Sequence, residues 1–566
     1  MYMRTLLLGA AGAMALATAA FAERGADGEV KVLYWQAPTT LNPYLSSGTK
    51  DVEAASLVLE PLAGFDDKGA IFPRLAESIP TVDNGGISKD MTTVTWKLKK
   101  DLKWSDGTPV TSADVAFTYQ YCTDPNGGCA QAASYEGIKS VDTPDADTVV
   151  VTYTGPKPYP YAAFVSALAP IIQKAQFEKC IGAAAPTCTE QNFKPIGTGP
   201  FMVTDFKTGD VVQLEANPNY RDPAKPAFAK MTLKGGGDAE AAARAVMETG
   251  EYDYAWNTQI NPDLQAQMSA TGKGHFVGGF GSLVERIEMN QFDPSPDLPE
   301  GERSTAKHPH PFLTDLKVRQ ALSMAIDRQA LVDVGYGAAG KPTCDLVPAP
   351  EAYAANTTDC LKQDLEGAKK LLDEAGWKMG ADGVREKDGK KLHILYQTST
   401  NPVRQDIQTL VKGWWNEIGV GVDLKNIDAS IYFGGDAGSP DTFEKFYADV
   451  EMYANNFNGT DPEAYMTQLL CSKIPGPDSQ WQGENIPRFC DKDYDAKIAE
   501  LSKTADLAKR QALVKELNNM VSAKGLVTMA IVHRGNLSAA SNMLDGVAIN
   551  PWDTEIWNAQ DWSRKK

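Results

Sequence analysis

Residues 93–121, TVTWKLKKDLKWSDGTPVTSADVAFTYQY, change from a period of two to a helical period across a single turn. Val94, Trp96 and Leu98 alternate with Thr95 and Lys97, the pattern of a half-buried strand. Ser105, Asp106 and Gly107 then supply turn chemistry. Thr111, with Asp114 three residues later, reads as a capping box opening a helix through Val115 and Tyr119. Strand, turn and capped helix make an α/β unit, and the segment offers no catalytic grouping.

The same alternation of elements continues along the chain. Thr314 is placed to cap a helix whose Val318, Ala321, Leu322, Ala325 and Ile326 form one apolar face. Leu365, Ala368, Leu372 and Ala375 repeat the pattern before Gly376, as do Ile407, Leu410, Val411, Trp414, Trp415 and Ile418 before Gly419. Loop chemistry concentrates in residues 83–90, 293–311 and 434–441. A chain of 566 residues, 43% of them hydrophobic, is globular and too long for one core, so two or three domains are expected.

Residues 1–22 carry Arg4, an apolar run from Thr5 to Phe21, and Ala20-Phe21-Ala22 as a small-x-small cleavage signal. This is the pattern of a secretory signal peptide. No cysteine lies near the cleavage point, which predicts a soluble periplasmic protein and not a lipoprotein. The eight cysteines fall as close neighbours, Cys122 with Cys129, Cys180 with Cys188, Cys344 with Cys360, and Cys471 with Cys490. Four local disulfides fit an oxidising compartment, although ~105 connectivities are open to eight cysteines. The 73 acidic residues outnumber 55 Lys and Arg, for a formal charge of −18, which makes nucleic acid a poor partner.

Catalytic patterns are lacking. There are five histidines and no G-x-S-x-G, and Gly197-x-Gly199 is followed by Pro200 without completing a dinucleotide or Walker spacing. His308 and His310 lie two apart amid prolines, an exposed-loop pattern more than a metal site. No cofactor, no metal and no enzymatic activity are expected.

Residues 96–117 resemble the "W-x-F-x-L-R-x-G-V-K-W-x-D-G-x-P-x-T-A-x-D-V-x-F" region of family five of the bacterial extracellular solute-binding proteins, the dipeptide- and oligopeptide-binding proteins of ABC importers. PIGTGPFMVTDFKTGDVVQLEANPNYRD (195–222), HPFLTDLKVRQALSMAIDRQALV (310–332), GAKKLLDEAGW (367–377) and RQDIQTLVKGWWNEIGVGVDL (404–424) resemble later family segments in the same order. The resemblance implies a two-lobed, hinged α/β periplasmic binding protein fold of Venus-flytrap type, with an extra subdomain in lobe one. The expected division is residues 23–52 and 192–289 with a return at 526–566 for the lobe-one core, 53–191 for the extra subdomain, and 290–525 for lobe two. It also implies a disulfide between Cys471 and Cys490, since some relatives bridge this loop. The implied role is capture of a peptide or peptide-like solute for the permease subunits of an importer, by a monomer. Opine- or sugar-like compounds, oligosaccharides and metal complexes are the alternative solutes, and a secreted hydrolase is the competing class.

Four segments resemble the family's cleft-facing positions. Trp35 and Gln36 end an opening strand, although Trp35 suits a core equally well. Trp256 and Asn257 follow EYDYA. In EMYANNFNGTDPEAY, Tyr453 is joined by Asn456 or Asn458, according to a one-residue gap, where peptide-binding relatives have an aspartate that neutralises the peptide ammonium. An asparagine accepts a hydrogen bond but cannot neutralise a charge, and the retained Asp461 reads as a helix cap. In SQWQGENIPRFC, Asn485 and Arg488 are cleft candidates. Arg488 either clamps a ligand carboxylate or pairs with Asp491 or Asp493.

Overall fold

The computed structural model describes residues 23–566 apart from Glu300, so the leader read at residues 1–22 lies outside the described residues. Two large mixed sheets organise the chain. The first has seven strands, in the spatial order Gly274–Gly279, Asn536–Ser541, Tyr254–Ala255, Glu29–Tyr34, Lys230–Gly235, Val211–Ala216 and Phe201–Lys207. Glu29–Tyr34 runs parallel to both of its neighbours, and Asn536–Ser541 runs antiparallel to its own. The second has six strands, in the order Gly340–Pro342, Thr528–Arg534, Val284–Met289, Val450–Asn455, His393–Ser399 and Gly421–Ile427.

Each sheet has its own core. Val30, Val32, Leu214 and Leu233 pack with Trp562 in the first, and Ile287, Ile394, Met452 and Ile531 with Trp415 in the second. A third apolar core, containing Val94, Trp96, Trp104, Phe117 and Tyr121, belongs to the extra subdomain. There the strand Thr93–Lys97 pairs antiparallel with Thr148–Tyr153. Thr111 and Asp114 close the capping box on the helix Ser112–Thr123. Trp96, Trp104 and Phe117 are thus structural residues.

The expected lobe boundaries shift. Val284–Met289 and Thr528–Arg534, placed in lobe one from the sequence, hydrogen-bond to each other within the second sheet. The chain passes from the first sheet to the second through residues 280–283 and returns through Gly535. These crossings lie side by side: Arg534 N donates to Leu283 O at 3.1 Å. Both strands are buried from end to end, so they carry none of the alternation that marks a lobe's outer face.

Local details refine other expectations. Asp315, whose carboxylate accepts from Lys317 N at 2.9 Å, caps the helix Leu316–Met324 in place of Thr314, whose hydroxyl donates to His310 O. The helices Leu365–Glu374 and Pro402–Glu417 end near Gly376 and Gly419, at φ +89° and +83°. Gly197 and Gly199 lie against the backbone of Leu57 and Val58, where an added Cβ would come within 1.9 Å and 2.6 Å of carbonyl oxygens. Close backbone packing explains that Gly-x-Gly. All four neighbouring cysteine pairs are bonded, and Cys471–Cys490 bridges the loop containing Arg488.

Candidate functional site

Between the two lobes lies a cleft that opens to solvent. Lobe one contributes Lys50 and Glu53 from the short helix Thr49–Ala55, Trp256 and Asn257 after the strand Tyr254–Ala255, and Asp553 and Glu555 from the C-terminal return. Lobe two contributes Tyr453 and Asn455 from the strand Val450–Asn455, Asn456 and Asn458 just after it, Arg404 from Pro402–Glu417, and Glu484 from the disulfide-closed loop. Phe433 and Phe443 add apolar area, and Ala130 and Gln131 extend the wall from the extra subdomain. Concave apolar surface with a few placed polar groups is the ordinary form of a small-solute site.

The charges separate into two poles. At one, Glu285 is fully buried between Arg404, whose Nε donates at 2.7 Å, and Arg534, 3.5 Å away, and it accepts from the Tyr336 hydroxyl at 2.9 Å. Burial alone would raise this carboxyl, but the charges of Arg404 and Arg534 and the hydrogen bonds from Arg404 and Tyr336 hold it below the usual range. Glu285 is shared by both arginines, and Arg534 also acts on Glu555 of the acidic group, countering the effect of burial there. Arg534 also donates to Asn257 Oδ1 at 2.7 Å and Gln259 Oε1 at 3.0 Å, while its Nε has no partner.

At the other pole are Glu53, Asp553 and Glu555. Burial raises the Glu53 carboxyl well above its ordinary value, and Glu555 raises it further. Burial raises Asp553 and Glu555 too. Lys50, on the same helix as Glu53, is paired with Asp51 at 2.6 Å.

Two further carboxylates join the lobes at the rim. Glu444 accepts from Ser47 Oγ at 3.0 Å, and Glu484 accepts from Ala133 N at 3.2 Å. Burial pushes each up to about 7. Lys157 of the extra subdomain pairs with Glu463 of lobe two, next to the bidentate Arg510–Asp461 pair.

Gln36, Trp256, Asn257, Tyr453, Asn456 and Asn458 all line the cleft. Trp35 does not: it packs in a core with Ala239 and Met247, and its indole donates to Asn257 O at 2.9 Å. Arg488 is also excluded, and neither role expected for it is observed. Arg488 is 1% exposed and its guanidinium donates to the carbonyls of Ile486, Glu444 and Lys445, while Asp491 caps the helix Lys492–Leu501. Asn485 is occupied similarly by the carbonyls of Leu469, Leu470 and Phe489. Asp461 does accept from Glu463 N at 3.0 Å at the start of Glu463–Thr467, but Arg510 and the Tyr353 hydroxyl are its main partners. His308 and His310 diverge, to Glu302 and Asp449. No group of three or more His, Cys, Asp or Glu among the described residues is arranged to hold a metal ion.

Glu53, Arg404, Glu484, Arg534 and Glu555 were not foreseen as cleft residues. They come from five separate segments and share a wall only after folding. The one sequence signal for them is charge inside otherwise apolar stretches, as in Arg534 after TMAIVH.

The sequence profile of the bacterial extracellular solute-binding proteins, family 5 (middle region), matches residues 70–476. A Brucella ovis protein named for ABC-transporter peptide binding is 28% identical over 467 residues, spanning 81% of this chain and 79% of the relative. The glutathione-binding protein GsiB of Escherichia coli is 26% identical over 550 residues, 96% of this chain and 95% of the relative. In three dimensions the fold is similar to that of the oligopeptide-binding protein AppA from Bacillus subtilis, solved with a nonapeptide: TM-score 0.82, 22% identity, 96% of this chain and 100% of the other. With two sheets joined by paired crossings around one cleft, and a family match over most of its length, the chain belongs to the bacterial extracellular solute-binding proteins, family 5.

Proposed function

We propose that this protein captures a peptide or peptide-like solute between its lobes and presents it to the membrane permease of an ABC importer, without catalysing a reaction. The observation carrying this reading is the cleft itself. Polar and aromatic groups from both lobes converge on it, and the lobes are joined by two adjacent crossings suited to hinge motion. Rim contacts such as Ser47 to Glu444 and Ala133 to Glu484 form only when the lobes are together, so a solute that bridges the walls favours the closed form. The naming of the Brucella and Escherichia relatives for peptide and glutathione binding supports a peptide-like ligand. The working site is the periplasm, reached through cleavage after Ala22 without lipid attachment, and the working unit is a monomer.

A second reading, a non-peptide solute, draws on Asn456 and Asn458, neutral side chains where peptide-binding relatives have an acid. A thermal-shift screen with defined peptides, opine-like conjugates and oligosaccharides separates the two. A true solute at ~100 times its dissociation constant stabilises by ~2.7 kcal/mol. Stabilisation by peptides supports the first reading; stabilisation by other classes alone transfers the assignment to the second.

A further inference from the structure

We propose that Glu53 and Glu555, both on lobe one, form the subsite for a cationic nitrogen of the solute, its alkylammonium group. The inference rests on the solute-capture reading and specifies the chemistry and orientation of what is captured.

Glu53 lines the cleft and is 3% exposed; its Oε1 accepts from Glu555 N at 2.9 Å, and its Oε2 has no hydrogen-bond partner. Burial and the charge of Glu555 favour the protonated form of Glu53 in the empty cleft, and a cationic donor at the free oxygen would stabilise the ionised form instead. Glu555, 5% exposed, accepts from the hydroxyls of Tyr254 and Ser538. Asp553 supplies field and not contact, because the backbone amides of Phe65, Ala167 and Thr554 already occupy it. The charges acting on Glu53 after burial, those of Glu555 and Asp553, are both negative. An ammonium placed here would offset like-charge repulsion and donate to the free oxygen.

Two independent observations point the same way. Trp256 lines the cleft at 2% exposure and its ring stacks on Tyr34 at 4.9 Å, providing aromatic surface of the kind that attracts cations, while its unpartnered indole N–H is a donor left for an acceptor of the solute. The guanidiniums of Arg404 and Arg534 stand on the same cleft around Glu285, and Arg534 also acts on Glu555; they disfavour a cation beside them and suit the anionic end of a zwitterion. On the lobe-two wall, Asn456 and Asn458 bring no charge. The recognition of the ammonium is therefore carried by the opposite lobe.

The test uses the mature protein, purified and stripped of retained solute, and an equimolar mixture of random tripeptides with their N-acetylated counterparts. Retained species are counted by mass spectrometry. The free-amine series is expected to exceed the acetylated one by about tenfold or more. Glu53→Gln and Glu555→Gln, two separate variants in case one fails to fold, should each bring that ratio towards one. Equal retention of both series by the unmodified protein overturns the inference and leaves solute capture standing. A preference undiminished in a folded variant assigns the ammonium elsewhere, also against the inference. Retention of neither series overturns the peptide reading and the subsite with it.

Discussion

The backbone amide of Glu555 donates to Oε1 of Glu53 at 2.9 Å across 502 positions of sequence. The contact ties the C-terminal return to the short helix Thr49–Ala55 and sets two acidic side chains together on one wall of the cleft. A mainly electrostatic role for this wall, beside the mainly steric role of the sheets, leads to measurable consequences.

The rim carboxylates make closure pH-dependent. Glu444 and Glu484 are pushed up to about 7 by burial, from an ordinary value of 4.5. For an acid whose folded value is raised, the folded form binds the extra proton, so stability is greatest below the ordinary value and is lost as pH rises through about 7. The solute-bound protein, with its lobes together, should melt several degrees higher at pH 5.5 than at pH 8, by differential scanning calorimetry. Glu484→Gln should reduce that difference; an unchanged difference in both Glu484→Gln and Glu444→Gln would exclude these groups as its source.

Glu285→Gln should be strongly destabilising, by about 3–5 kcal/mol, because it leaves the guanidiniums of Arg404 and Arg534 buried without their shared counter-charge. Urea unfolding reads this as a lower midpoint. The native carboxyl, held below its ordinary value by those arginines despite burial, contributes stability that is present above about pH 4.5 and lost as pH falls through its folded value. The variant should lose that acid-side slope.

Arg488→Ala should cost stability, since it strips hydrogen bonds from the buried carbonyls of Ile486, Glu444 and Lys445. A loss of about 1–3 kcal/mol for orphaning a buried acceptor is the expected scale. A variant with weaker solute affinity and unchanged stability would restore the carboxylate clamp that the sequence admitted.

Replacing Cys471 and Cys490 together by serine should cost about 3 kcal/mol from the entropy of a 19-residue separation. Because Glu484 lies within that loop and lines the cleft, solute affinity should fall as well. Chemical denaturation and calorimetric titration of the double variant check the two effects separately.

Much of the scaffold was legible where a local rule determines the outcome. The period-two run at Val94, Trp96 and Leu98 and the Thr111–Asp114 box form as the pattern dictates, and the cysteines bond to their nearest neighbours in sequence. The lobe crossings were not legible to that depth. Glu285, Arg286 and Glu288 put charge on both faces of a short strand, and all are buried in charge pairs and hydrogen bonds between strands, helices and hydroxyls. Arg488 shows a related ambiguity, since a guanidinium suits three backbone carbonyls as well as one carboxylate. Glu53 sits in a seven-residue helix too short to show an amphipathic period, and its meaning depends on Glu555, placed beside it only by the tertiary fold.

The most direct test of solute capture is mass spectrometry of whatever small molecule the protein releases on denaturation after purification from its native compartment without refolding. The account predicts one bound solute per chain, peptide-like and bearing a free amine, released chemically unchanged. A protein that carries no solute and is not stabilised by any peptide, opine or oligosaccharide, or one that returns a hydrolysed product, would contradict it.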